Sequence, residues 1–157
     1  MAAKLLVALA PLIVLGGSGC GGQHFHKTNN LIILDRSIGG ASLQETRSQA
    51  EKSLGTGRVL STGRQGTQVA YRGGGLIVWY AEHPLRAFIM KTTSPAFHTA
   101  SGIGVGSSFK KLNSIRGITC YGGECQHGYR AHGRPGTGFG LDAPQGKVVW
   151  IGIGFGH

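Results

Sequence analysis

Acidic residues are what this chain has least of: six Asp and Glu stand against sixteen Lys and Arg in 157 residues, a formal charge of +10. Acid–base catalysis needs converging carboxylates or a histidine with an orienting partner, and six carboxylates supply few such sets. Glu45 and Glu51 read as surface residues of a capped helix, and Glu82-His83 as a solvated pair in a hairpin turn. The sequence also lacks a Gly-x-Ser-x-Gly elbow and a His-Glu-x-x-His helix, which removes the usual frames for a serine nucleophile or a catalytic zinc. Gly102-x-Gly104-x-Gly106 has neither the dinucleotide glycine spacing nor the Gly-Lys pair of a phosphate-binding loop. No enzyme activity, cofactor or metal is therefore expected. No uncharged apolar run approaches the roughly 20 residues of a membrane-spanning helix.

What is present begins with an export signal. Lys4 supplies one positive charge, residues 5–15 (LLVALAPLIVL) are apolar, and Gly16, Gly17, Ser18 and Gly19 lead directly into Cys20. A charged start, a short apolar centre and a small-residue cleavage site form a secretory signal. A cysteine directly after the small residues is what a lipoprotein signal requires. Gly17 departs from the pattern, standing where a bulky aliphatic residue is preferred, so an ordinary secretory signal with an incidental cysteine is the alternative. The expected division is a signal peptide over 1–19, a lipidated N-terminus and polar tether over 20–37, and one folded domain over 38–157. The expected location is the cell envelope, with the chain held to a membrane by acyl groups on Cys20.

Beyond residue 19 the chain keeps fifteen Lys/Arg and all six Asp/Glu, a formal +9, which favours acidic surroundings. The basic residues are dispersed and only Lys110-Lys111 adjoin, so no nucleic-acid partner is expected. Cys120 and Cys125 remain once Cys20 is assigned to the signal. In an oxidising compartment such a pair predicts a disulfide. The alternative, a metal site with His127 and His132, matches no standard zinc spacing. His24 and His26 fall in the tether, and His127, His132 and His157 read as exposed loop residues.

Twenty-nine glycines punctuate the chain into short runs, the mark of strands and tight turns. Ser42-x-x-Glu45 reads as a capping box opening a helix, with Leu43, Ala50 and Leu54 on one face and Gly55 as its stop. Strands are predicted over 31–34, 67–71, 76–80 and 85–90. A similar order recurs after residue 98: Ser107-Ser108-Phe109 echo Ala41-Ser42-Leu43, and strands follow over 118–121, 126–131, 137–141 and 147–153. The repetition predicts an α+β domain of two tandem helix-plus-antiparallel-meander units, about 38–94 and 98–157. Together these are expected to form one curved antiparallel sheet with the helices on one side.

The phrase His98-Thr99-Ala100-Ser101-Gly102-Ile103-Gly104-Val105-Gly106-Ser107-Ser108 resembles the linker between units in small exported bacterial proteins. These have the tandem-repeat beta-lactamase inhibitory protein fold, and the phrase is more distantly similar to small outer-membrane-assembly lipoproteins. The resemblance spans residues 38–153 and rests on turn glycines and helix caps. It implies an aromatic-rich sheet face that grips another protein, and Tyr71, Trp79, Tyr80 and Trp150 are the candidates here. The function expected is that of a non-enzymatic envelope lipoprotein serving as a protein-binding or structural module. The alternative is an enzyme acting on envelope polymers through a site with no sequence signature.

Overall fold

The computed structural model describes residues 29–82, 85–128 and 133–155. Cys20, His24, His26, His83, His132 and His157 lie outside them. Short runs separated by turn residues make the meander β4 (Arg58–Gly63), β5 (Gly66–Tyr71), β6 (Leu76–Glu82) and β7 (Leu85–Thr92). A second meander follows: β9 (Thr119–Tyr121), β10 (Glu124–His127), β11 (Pro135–Leu141) and β12 (Val148–Phe155). The two join through β7 and β12, giving an eight-stranded antiparallel sheet in the order β4-β5-β6-β7-β12-β11-β10-β9.

A smaller sheet, ordered β3-β2-β1-β8, is built from β1 (Leu31–Ile33), β2 (Ser37–Ile38), β3 (Ala41–Ser42) and β8 (His98–Thr99). Its β1–β8 pair is parallel. Val69, Val78, Met90, Phe139, Ile151 and Ile153 line the inner face of the large sheet and share one core with Ile32, Ile38 and Ala41 of the small one.

The described residues are mostly β, 51% strand against 12% helical, which corrects the expected α+β class of two helix-plus-meander units. Among the described residues there are one eight-residue helix, α1 (Arg47–Leu54), one helical turn, α2 (Phe109–Leu112), and a 3-10 turn at Arg72–Gly74. A short sheet therefore occupies much of the layer where helices were expected. The reason is visible at Ser42. Ala41 and Ser42 pair with Ile38 and Ser37, while the Gln44 backbone N–H donates to the Ala87 carbonyl and the Ala87 N–H to that of Glu45. Strand pairing thus consumes the residues of the first capping box. Thr46 and Gln49 form a second box four residues later, where α1 begins, and Gly55 ends it. No helix among the described residues is long and apolar enough to cross a membrane.

Candidate functional site

Strand register decides which side chains share a surface, because neighbours along a strand point to opposite faces. Gln68 lies opposite Trp79 and Trp79 opposite Ile89, while Ala70, Ile77 and Lys91 form the adjoining row. Lys91 pairs with Gly152, Gly152 with Gly138, and Gly140 with Trp150. Trp79, Ile77, Ile89, Lys91 and Trp150 therefore share the outer face of the large sheet. None of them belongs to the core, which is assembled from the opposite face.

The middle of this outer face is floored by glycine: Gly136, Gly138 and Gly140 on β11, and Gly152 and Gly154 on β12. The floor lets the Trp150 ring lie down. A Cβ at Gly140 would fall inside the indole, and one at Gly138 would come within 3.3 Å of it. Lys91 Nζ then sits 4.5 Å from the Trp150 ring centroid, a cation–π arrangement that holds an ammonium on this face. Indoles half exposed beside a held cation offer both apolar area and polar handles, the composition enriched at protein contacts.

Of the four aromatic residues expected on one binding face, the structure sets only Trp79 and Trp150 on the outer face, two strands and four residues apart by register. Tyr71 and Tyr80 are corrected: both are fully buried, 1% exposed, on the inner face. Trp79 and Tyr80 are consecutive in β6, so one of them had to face the core. The two phenols hydrogen-bond at 2.8 Å, and burial, first of all, pushes both above the ordinary tyrosine pKa, Tyr80 the further. Cys120 and Cys125 are bridged as expected, opposite each other on β9 and β10. The bridge removes both as thiolate ligands, and no set of three metal-ligating side chains gathers among the described residues.

A polar cluster went unforeseen. Asp35 takes a positive φ of 60° in the turn after β1, and its backbone N–H donates to Thr137 Oγ1 at 2.6 Å. Thr137 Oγ1 donates in turn to Asp35 Oδ1 at 2.8 Å, and His127 Nδ1 stands 2.7 Å from Asp35 Oδ2. Gly128 has no alternative here, because a Cβ would land on the Asp35 carboxylate. Ninety-two residues separate Asp35 from His127, and no local pattern links them. Arg72, also at positive φ, is one of the dispersed basic residues, yet its side chain is not free in solvent. Its guanidinium instead donates to the carbonyls of Asn29, Gly39 and Ser53 and to Asn30 Oδ1. It also packs over the Phe97 ring, and this burial pulls its pKa below the usual arginine range.

No protein-family model matches the chain, and neither does a curated protein or a solved structure.

Proposed function

We propose that this protein is an exported lipoprotein, attached to a membrane of the cell envelope through Cys20, that binds another protein without catalysing a reaction. The observation that carries the reading is the outer face, where register gathers Trp79, Trp150, Ile77, Ile89 and the held Lys91 away from the core. All five side chains are half-buried, and apolar area left open on a sheet face marks an interaction surface. The resemblance of residues 98–108 to the inhibitory-protein linker points the same way.

Two measurements test it. Mass spectrometry of the exported chain is expected to find an acylated Cys20 as first residue, and an unmodified or internal Cys20 removes the anchor. A photo-crosslinker at Ile77 in intact cells should give one envelope-protein adduct that Trp79→Ala and Trp150→Ala abolish. An adduct indifferent to both substitutions removes the outer face as the contact.

A second reading, an envelope-polymer enzyme, rests on Asp35 and His127, since a carboxylate on Nδ1 is how proton-transfer sites orient an imidazole. Against it, the His127 imidazole hydrogen-bonds Asp35 alone among the described residues. Hydrolysis of envelope fractions by purified protein, lost in His127→Ala, would favour the enzyme.

A further inference from the structure

We propose that β4 is a docking strand, which takes up an extended acidic segment of a partner protein as a ninth strand of the large sheet. This goes beyond the outer-face reading and does not depend on it. Among the described residues β4 ends the sheet, with β5 its sole neighbour, and all six of its residues are exposed. Val59 lies opposite Val69 and belongs to the inner face, yet Val69 is fully buried and Val59 is 44% exposed. The inner layer therefore stops at β5, and a strand beyond β4 would cover Val59. Leu60 stands at a bulge, 39% exposed, so the free edge divides into two short stretches. The other edge offers less: β9 has three residues and is pinned to β10 by the Cys120–Cys125 bridge.

Charge selects the occupant. Arg58 opens β4, Arg64 follows its end, and among the described residues Arg47 is the one Lys or Arg ion-paired with a carboxylate. Both bracketing guanidinium groups are therefore uncompensated. A second copy of the chain is disfavoured by the same groups. Two-fold antiparallel pairing of all six residues would set Arg58 of one copy opposite Gly63 of the other, one residue from its Arg64, at both ends of the seam, and four uncompensated positive charges gathered on one seam oppose self-association. Such charges are how sheet edges avoid their own kind. An acidic strand reverses the sign of both contacts while its backbone completes the ladder.

The test uses the purified exported chain and three labelled peptides read by fluorescence anisotropy. The first is acetyl-Glu-Val-Glu-Val-Glu-Val-Glu-amide, the second replaces Glu by Lys, and the third is the acidic peptide N-methylated at alternate amides. The acidic peptide should bind, each of the others at least about tenfold more weakly, with β4 amides gaining hydrogen-exchange protection. The exposed pair R58E and R64E should weaken the acidic peptide about tenfold without changing the circular dichroism spectrum. Equal binding of the N-methylated peptide would show surface electrostatics rather than strand addition. Absent binding, or no preference for acid over lysine, overturns the proposal. A sedimentation dimer that protects the β4 amides would name a second copy as the occupant instead, and likewise overturns it.

Discussion

Gly140 and Trp150 set each other's place. The indole occupies the volume a side chain at residue 140 would need, so Gly140→Ala has to lift the ring from the sheet. Overpacking of this kind costs about 1–3 kcal/mol, and lifting the ring also takes it from under Lys91. Urea denaturation should show the loss of stability, and crosslinking from Ile77 should weaken together with it. Unchanged stability would mean that the strand, not the ring, gives way.

On the inner face the buried pair Tyr71–Tyr80 supplies a pH-dependence. Both phenols have folded-state pKa values above the ordinary 10.0, so at high pH the unfolded state loses their protons first. Their contribution is fully present below pH 10.0 and is lost as pH rises above it. Stability should fall in that alkaline range, with phenolate absorbance from these two residues appearing only on unfolding. Replacing both by Phe should flatten the dependence. Tyr71→Phe alone strands the Tyr80 hydroxyl and is expected to cost about 1–3 kcal/mol.

At the scale of elements, the start of α1 separates two readings of one sequence motif. Ser42-x-x-Glu45 and Thr46-x-x-Gln49 both have capping-box form, and nothing local chooses between them. Tertiary pairing chooses, since residues 41–46 are spent on Ile38, Ser37 and Ala87. Thr46→Ala should therefore cost about 1 kcal/mol of stability. Ser42→Ala should cost little, because the Ser42 backbone N–H keeps Glu45 Oε2 at 3.0 Å whatever the side chain. Equal costs in thermal unfolding would return the helix start to Ser42.

The strands were more legible than the helix. Leu76–Glu82 and Leu85–Thr92 are short, mostly apolar runs rich in β-branched and aromatic residues, and such runs bounded by turn residues read as strands. β4 was not legible: its six residues are all exposed, so its sequence carries no buried face to read. The Cys120–Cys125 bridge was legible from the cysteine count and the expected oxidising compartment. It closes a loop across a sequence separation of 5, so replacing both cysteines by serine should cost about 2 kcal/mol. Hydrogen exchange should place the loss in β9 and β10 rather than throughout the sheet. The aromatic face was half legible, since its tryptophans were visible but strand parity excludes Tyr80 once Trp79 faces outward.

For the whole molecule, the small sheet is the part that sequence reading placed least. Its β1 falls within the strand predicted over 31–34, but β2, β3 and β8 have two residues each, too few to signal themselves. Two polar pins fasten it to opposite ends of the large sheet. Arg72, after β5, grips Asn29, Asn30 and Gly39, while Thr137 and His127, on β11 and β10, hold Asp35. Both pins join residues far apart in sequence, and each replaces chain length by hydrogen bonds. Between the pins, Ile32, Ile38, Ala41 and Phe97 are buried in the common core, so the small sheet should unfold with the large one. Arg72→Ala and Thr137→Val are each expected to cost about 1–3 kcal/mol, because each leaves part-buried polar groups without partners. The two pins share no partner residue, so their costs should add to within about 0.5 kcal/mol. The double variant should still unfold in one step, with tryptophan fluorescence and far-ultraviolet circular dichroism coincident. Two separated steps would mean that the pins, and not the shared core, make the two sheets one cooperative unit.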